Sequence, residues 1–185
     1  MDQGADSWRE RAVRDAVLAG DRAAWRAWYD EHFPRLAAYV GWRCGGLPEL
    51  VDDVLQETWL TAVRRLRTFD PARGPFAGWL CGIAANAVRN AVRARRRHHR
   101  RAVPLDAAAE PAGGPDPAAA EKAERVAAAL AALPEHYEAV LRAKYLDRRT
   151  VDEIAAARGE TPKAVESLLT RARQAFREAY EANHD

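Results

Sequence analysis

Apolar residues recur at steps of three and four along most of the chain, separated by short breaks, which is the pattern of packed α-helices. The first such stretch runs from Asp15 to about Cys44 and is interrupted at Gly20, where Asp21 predicts a cap for the next helix. The tryptophans of this stretch are spaced as on one buried helical face. We therefore expect them to pack in a core rather than to form a platform for stacking bases.

A second amphipathic helix is predicted from Glu49 to Arg67, after breaker residues at 45–48. Its apolar side consists of Val51, Val54, Leu55, Thr58, Trp59, Ala62, Val63 and Leu66. Its other side is acidic and polar, with Asp52, Asp53, Gln56, Glu57 and Thr61. Paired carboxylates can support acid–base chemistry or a metal site, but no histidine, nucleophile or glycine-rich loop accompanies these. Two interpretations remain, a solvated face and a docking face for a basic partner.

The most strongly patterned helix is predicted from Pro75 to Arg101, after a turn marked by Asp70-Pro71 and Gly74-Pro75. Its expected core stripe is Phe76, Leu80, Ile83, Ala87 and Ala91. A polar side lies about a quarter-turn away and carries Trp79, Asn86, Arg89, Asn90, Arg93 and Arg97. Residues 71–101 contain eight arginines and no acidic residue.

That combination of side chains suits a nucleic acid. Arginines neutralise phosphates, amides hydrogen-bond to base edges, and an aromatic ring stacks on an unpaired base. The simpler interpretation is a basic, solvated helix end. The asparagine and arginine stripe on a helix that also carries Trp79 favours nucleic-acid binding.

Composition changes after Arg101, where residues 102–120 are rich in proline and alanine and contain no aromatic residue. Such a segment cannot build a core, so it predicts a flexible linker between two domains. We expect a flexible N-terminus over residues 1–14, a first domain over 15–101 and a second over 121–185. The fold class is all-α, with two small helical domains.

The second domain contains the signals of a helix-turn-helix unit. Thr150 and Glu153 form a capping-box pattern that begins one helix, and Gly159 predicts its end. Thr161 then caps a second helix that has Pro162 at its first position. A capped helix, a glycine turn and a longer helix with polar residues at its front indicate DNA binding, with an ordinary helical hairpin as the alternative.

Overall charge and composition narrow the class of protein. The net charge is only +2, from 29 basic and 27 acidic residues, so attraction to nucleic acid must come from uneven charge distribution. No signal-peptide hydrophobic region and no apolar run long enough to span a membrane is present, which predicts a cytoplasmic protein. Cys44 and Cys81 lack CxxC spacing and neighbouring histidines, so we expect thiols, with no metal and no cofactor.

Together these stretches resemble the extracytoplasmic-function (ECF) sigma factors of bacterial RNA polymerase, over residues 19–101 and 125–181. GDRAAWRAWYDEHF resembles the family's opening helix, and LVDDVLQETWL resembles its segment for docking on core polymerase. FDPARGPFAGWLCGIAANAVRNAVRARRR resembles the segment that opens and reads the promoter −10 element. The helix-turn-helix stretch, from LPEHYEAVL to RARQAFRE, resembles the domain that reads the −35 element.

The resemblance implies a role for each surface. Asp52, Asp53, Gln56 and Glu57 would bind the polymerase beta-prime clamp helices. The −10 element would be contacted by Trp79, Asn86, Arg89, Asn90 and Arg93, with Arg95, Arg96 and Arg97 on flanking phosphates. The −35 element would be contacted by Thr161, Lys163, Glu166, Ser167, Thr170, Arg171 and Arg173. Many members of the family have basic residues where this chain has Glu166 and Leu168, so the chain departs from the family pattern at the −35 surface.

The implied function is that of a transcription initiation factor, not an enzyme, which brings core RNA polymerase to promoter DNA. The resemblance also implies the polymerase beta flap as a contact, leaves an anti-sigma factor open as a further partner, and involves no membrane. A rival from another class is a stand-alone helix-turn-helix regulator whose N-terminal half senses or dimerises. A nucleic-acid enzyme is disfavoured because no metal or nucleophile constellation is present.

Overall fold

The protein is all-α in this computed structural model, which describes residues 3–101 and 117–182, without the side chains of 3–6, Arg96, 98–101 and Pro117. Its α-helices are α1 (Gln3–Leu18), α2 (Arg22–Arg43), α3 (Pro48–Arg65), α4 (Phe76–Arg101), α5 (Pro117–Ala132), α6 (Glu135–Leu141), α7 (Val151–Arg158) and α8 (Pro162–Glu181). A 3₁₀ turn, Leu66–Thr68, follows α3, and a π-helical turn, Arg142–Leu146, follows α6. Over these two ranges there is no β-strand, which confirms the predicted fold class.

Contacts divide the chain into two compact units. The first consists of Met1–Gly41 and Pro48–Ala91, and the second of Trp42–Leu47 and Val92–Asp185. The division therefore falls inside α2 and α4, whereas the sequence places it in the linker. Of that linker, residues 102–116 lie outside the described residues, and residues 117–120 form the first turn of α5.

The core of the first unit is aromatic. The rings of Trp28 and Phe76 stack with centroids 3.8 Å apart, and Phe69 lies 5.3 Å from Phe76. Trp28, Phe69 and Phe76 are all buried, which confirms that Trp28 packs in a core. Asp21 caps α2 as predicted, because its Oδ1 accepts the N–H groups of residues 23 and 24 at 2.8 and 3.0 Å.

The buried stripe of α4 departs from the prediction in its second half. Phe76, Leu80 and Ile83 are buried as expected, but Ala87 and Ala91 are only half-buried. The positions that continue the buried stripe are Ala84, Val88 and Val92. Ala84 and Val88 lie four and eight residues beyond Leu80, and Val92 lies four beyond Val88, so the buried stripe continues in steps of four and includes both valines. On α3, Val63 is likewise a correction, because it is 54% exposed.

The sequence predicts a flexible N-terminus over residues 1–14, but residues 3–14 lie in a helix, and residues 1 and 2 lie outside the described residues. Residues 3–18 form α1, a helix with few apolar side chains, and Ser7 and Arg14 donate hydrogen bonds to backbone carbonyls near the start of α4. Composition alone gave no reason for order, because polar residues cannot supply a core. The helix is held instead by long-range hydrogen bonds, which sequence periodicity does not reveal.

The second unit has an aliphatic core that α5 to α8 build together. Its buried members are Leu130, Leu133, Val140, Leu141, Ile154, Ala155, Val165, Leu168, Leu169 and Ala172. Arg43, within the Trp42–Leu47 part of this unit, forms a buried ion pair with Glu138, with Nη1 and Oε2 3.1 Å apart. Each charge offsets the desolvation cost of the other, so neither is isolated in the interior.

The helix-turn-helix signals are confirmed in detail. The Thr150 hydroxyl accepts the N–H of Glu153, and the Glu153 carboxylate accepts the N–H of Thr150 at 2.7 Å, which completes the capping box. These hydrogen bonds from Thr150, first from its backbone and then from its side chain, lower the pKa of Glu153. Gly159 ends α7 with φ 65°, and the Thr161 hydroxyl accepts the N–H of Ala164 to begin α8.

Candidate nucleic-acid and protein interfaces

The acidic side of α3 is exposed along its length. Asp52, Asp53, Gln56 and Glu57 all face solvent, and the Thr61 hydroxyl donates to Oε1 of Glu57 at 3.0 Å. The opposite side of the helix is closed by buried residues of the first unit, so the carboxylates form one face. Such a face can bind a basic surface through charge complementarity.

Sequence reasoning missed two apolar members of this face, Leu60 and Val63. Leu60 is 43% exposed and lies three and four residues after Glu57 and Gln56, so it extends the acidic row with an apolar side chain. Val63 lies three residues after Leu60, on the same side of the helix, and is also exposed. The available signal was spacing, because Leu60 is out of register with the buried Leu55, Trp59 and Ala62. Apolar groups beside charges are typical of protein-binding surfaces.

The polar side of α4 presents a row of amides and guanidinium groups. Asn86, Asn90, Arg93 and Arg97 follow one another at helical steps and are all exposed. Arg89 is half-buried and donates a hydrogen bond from its guanidinium to Oδ1 of Asn86. Amides of this kind can reach base edges while neighbouring arginines contact phosphates.

Trp79 lies at the start of this helix and is tied to the core. Its ring centroid is 5.3 Å from that of Phe69 and 5.6 Å from that of Phe76, and the side chain is half-buried. The buried rings fix the indole in place, while its exposed part can contact a ligand. A ring held in this way loses little conformational freedom on stacking against a base.

Of the three arginines expected on flanking phosphates, the structure places two. Arg97 is exposed, and Arg95 forms an ion pair in the second unit through its Nε and Oε1 of Glu124. The side chain of Arg96 lies outside the described residues. Because a carboxylate neutralises its guanidinium, Arg95 belongs to an internal ion pair here rather than to the exposed row on α4.

The segment between the 3₁₀ turn and α4 is anchored at both ends and open in the middle. Phe69, Pro71 and Phe76 are buried, whereas Ala72 and Arg73 are exposed. Within it, Asp70 Oδ1 accepts the N–H of Ala72 at 3.0 Å, and the Asp70 carbonyl accepts that of Arg73, also at 3.0 Å. The segment is therefore a short ordered turn whose exposed tip comes just before α4 in the chain.

The front of α8 is a single exposed face. Five of the predicted residues lie on it at steps of three and four: Lys163, Glu166, Ser167, Thr170 and Arg171. Two of them also bond to the helix backbone, because the Thr170 hydroxyl donates to the Glu166 carbonyl at 3.0 Å and Arg171 Nε donates to the Ser167 carbonyl at 3.4 Å. The face combines hydroxyl, ammonium, guanidinium and carboxylate groups that can reach base edges or phosphates.

Two other residues predicted for this site have different surroundings. The Thr161 hydroxyl is used as the α8 cap, where it accepts the N–H of Ala164 at 3.2 Å. Arg173 is half-buried, and its Nε donates to the Tyr145 hydroxyl at 2.8 Å. Since Arg173 is two residues after Arg171, it points away from the exposed face of α8.

The described residues give little support for metal binding, for a reactive thiol at Cys44 or for a membrane span. Across 3–101 and 117–182, no group of three histidine, cysteine or acidic side chains is arranged to hold a metal ion. Cys44 and Cys81 are not joined in a disulfide, and burial raises the pKa of Cys44 to about 12, which disfavours its reactive thiolate. In the same ranges, no helix combines the length and apolarity that crossing a membrane requires.

Comparison with known proteins relates both halves of the chain to one family. The family model of Sigma-70 region 2 matches residues 28–98, which include the α3 and α4 surfaces. The model of Sigma-70 region 4 matches residues 123–176, which include the helix-turn-helix unit.

Individual relatives agree with these matches. The chain is 32% identical to the ECF RNA polymerase sigma factor SigE of Mycolicibacterium smegmatis, over 94% of this chain and 68% of SigE. It is 31% identical to the RNA polymerase sigma factor CarQ of Myxococcus xanthus, over 86% of this chain and 90% of CarQ. The solved structure of CnrH in complex with the cytosolic domain of CnrY is 29% identical, with a TM-score of 0.50, over 93% of this chain and 97% of that one.

Proposed function

The chain belongs to the extracytoplasmic-function (ECF) group of RNA polymerase sigma factors, and from this we propose that its α3, α4 and α8 faces carry out separate steps of transcription initiation. As an alternative sigma factor it binds core RNA polymerase and directs it to specific promoters. It contributes specificity, while the synthesis of RNA belongs to the polymerase. The stand-alone regulator is not favoured, because a region 2 match accompanies the helix-turn-helix match.

The α3 face is the docking surface for core polymerase in this proposal. Its exposed carboxylates and the exposed Leu60 supply charge and apolar contact on one side of a helix whose other side is fixed in the core. Basic clamp helices of the beta-prime subunit are complementary to that combination. Asp52, Asp53 and Glu57 are acidic and Gln56 is uncharged. These residues therefore differ in charge from the basic row on α4.

The α4 row is the surface for the separated −10 strand. The observation that carries this assignment is the exposed succession of Asn86, Asn90, Arg93 and Arg97 downstream of a partly exposed, core-anchored Trp79. Strand separation exposes base edges and faces that a duplex hides, and these side chains offer hydrogen bonds, charge and stacking to them. Binding energy gained on the unpaired strand is what favours the open complex.

The α8 face reads the −35 element as duplex DNA. A capped helix-turn-helix unit places the front of its second helix in a major groove, where Lys163, Ser167 and Arg171 can contact bases or phosphates. Glu166 adds a carboxylate to that front, which can accept a hydrogen bond from cytosine N4. Arg173 has no place in this contact surface, because it is bonded to Tyr145.

A pair of charge reversals tests the division of labour between α3 and α4. Arg93→Glu should abolish open complexes but leave binding to core polymerase within about twofold, because it removes a phosphate contact and adds repulsion. Asp53→Arg should do the reverse and weaken core binding first, by about tenfold or more. Core affinity is measured by fluorescence anisotropy, and opening by permanganate reactivity on a promoter that the wild-type holoenzyme transcribes in run-off assays.

Each variant is the control for the other. Both residues are exposed and neither contributes to a core, so both proteins should keep wild-type helicity by circular dichroism. Normal open complexes with Arg93→Glu would refute the α4 assignment. Normal core affinity with Asp53→Arg would refute the α3 assignment and leave the α4 assignment standing.

A further inference from the structure

Three side chains on one face of α1 bond to the backbone of residues 69–76, the segment that leads into α4. The bonds join Ser7 Oγ to the Pro71 carbonyl oxygen (3.3 Å), Arg14 Nη1 to the Phe69 carbonyl oxygen (3.0 Å), and Glu10 Oε1 to the Phe76 N–H (2.9 Å). The three donors and acceptors of α1 are separated by three and four residues, so they share one face of the helix. Helix α1 therefore contacts the beginning, the middle and the end of this segment.

The bond from Glu10 acts as a helix cap supplied from far along the chain. The first N–H groups of an α-helix have no partner within the helix. The residue before α4 is Pro75, whose side chain has no oxygen that could accept such a bond. Glu10, 66 residues earlier, supplies the missing acceptor. Its carboxylate also lies at the helix end where a negative charge is favourable.

The two carbonyl bonds hold the segment where it turns. Phe69 and Pro71 are buried, and their carbonyl oxygens are bonded to Arg14 and Ser7. The exposed tip beyond them, with Ala72 and Arg73, carries the chain towards α4. Both ends of the segment and its turn are therefore held by hydrogen bonds or burial.

These bonds, rather than burial, distinguish α1 from the other helices of the first unit. Among residues 7–18 no side chain is fully buried, and Trp8 is 73% exposed. Val13 and Val17 are half-buried and give α1 a modest apolar contact. A helix that adds little to a core but satisfies three backbone groups of one segment is suited to positioning that segment.

We propose that α1 is a brace that orders residues 69–76 and the first turn of α4 for promoter opening, with Ser7, Glu10 and Arg14 as positioning residues. This inference rests on the proposed function of α4, because the benefit of an ordered segment is realised when α4 binds the separated strand. Ordering the segment in advance lowers the entropic cost of that binding. The three bonds of the brace end on residues 69–76 and none of them ends on α3, so we expect core docking to be largely independent of them.

The test compares Glu10→Ala/Arg14→Ala with wild type in complex with core polymerase. A hydrogen bond of ordinary net strength corresponds to about fivefold in an equilibrium constant, so losing two should reduce open complexes by about tenfold or more. Core affinity should stay within about twofold. Glu10→Gln keeps an oxygen acceptor for the Phe76 N–H and should restore most of the loss due to Glu10→Ala. Arg11→Ala, at an exposed position on the same helix, is the matched control and should open promoters normally.

Hydrogen exchange gives a readout that does not depend on DNA. In the double variant, amides in a peptide covering residues 69–78 should exchange about tenfold faster, while peptides from α8 stay unchanged. Unchanged exchange and unchanged opening would overturn the brace. Loss of helicity or of core affinity would also overturn it, because α1 would then be a general folding element.

The failure of this inference can be told apart from failure of the function on which it rests. If Arg93→Glu blocks opening while Glu10→Ala/Arg14→Ala opens promoters normally, the role of α4 stands and the brace is wrong. If both variants open promoters normally, the assignment of α4 to the −10 strand has failed as well.

Discussion

Helices α4 and α8 both present exposed polar faces that we propose bind nucleic acid, but their starts are fixed in different ways. Helix α8 carries its own cap, because the Thr161 hydroxyl accepts the N–H of Ala164 and Gly159 turns the chain just before it. Helix α4 starts after Pro75 and relies on Glu10, 66 residues away, and on the aromatic core around Phe76. One start is local in sequence, and the other depends on tertiary structure.

The difference indicates how each surface can be perturbed. A capped start needs only a few neighbouring residues, so the α8 face should survive changes elsewhere in the chain. The orientation of α4 depends on α1, α2 and residues 69–76, so substitutions far from its polar row can alter it. This suits the two tasks that we propose for these helices, because a −35 duplex is read as a preformed groove whereas strand opening depends on how well a surface is arranged in advance.

The largest expected effect comes from removing the ring at the start of α4. Phe76→Ala should lower the free energy of unfolding of the first unit by about 3–5 kcal/mol, because the ring is fully buried between aromatic neighbours and its loss leaves a cavity. Urea unfolding followed by tryptophan fluorescence measures this, since Trp28 stacks on Phe76 directly.

Phe176→Ala in α8 is the matched control for that substitution. Phe176 is only half-buried, so the same truncation should cost clearly less in stability. If the two variants lose equal free energy of unfolding, the start of α4 does not depend on the aromatic core in the way argued above.

A smaller effect is expected from the local caps. Thr150→Ala and Thr161→Ala should each cost about 1 kcal/mol of stability in the second unit, because each removes a hydroxyl that satisfies a free backbone N–H. Thr170→Ala removes a hydroxyl from the middle of α8 and should cost almost nothing, since alanine favours helix there. Urea unfolding followed by circular dichroism gives the three values. A cap variant as costly as Phe76→Ala would contradict the local character of the α8 start.

The same difference explains what the sequence could predict. The capping box, the glycine end and the threonine cap of α7 and α8 involve residues within about ten positions of one another, and each has a characteristic residue type. The polar row of α4 follows from periodicity alone. The α1 bonds could not be predicted, because Ser7, Glu10 and Arg14 pair with backbone groups, which have no residue-specific signature. Arg95 shows the same limit, because its partner Glu124 is 29 residues away.

The smallest expected effect comes from lowering the pH. It should destabilise the residues around the start of α4 at a higher pH than it destabilises the helix-turn-helix unit. Burial lowers the pKa of His32, whose ring centroid lies 5.1 Å from that of Phe76; Glu31 raises this pKa, and Arg9 and Arg35 lower it further.

Because the unfolded chain binds a proton on His32 more readily than the folded protein, this contribution to stability is present above the ordinary histidine pKa of about 6.5. It is lost as the pH falls from there through the lower folded value. The lowered pKa of Glu153 acts in the same direction but in a more acidic window, below the ordinary glutamate pKa of about 4.3. Between pH 7 and 5, the slope of stability against pH should therefore flatten in His32→Gln and stay unchanged in Glu153→Gln, as measured by urea unfolding at each pH. An unchanged slope in His32→Gln would contradict this account, because the histidine beside Phe76 would then contribute nothing to the acid sensitivity of the α4 start.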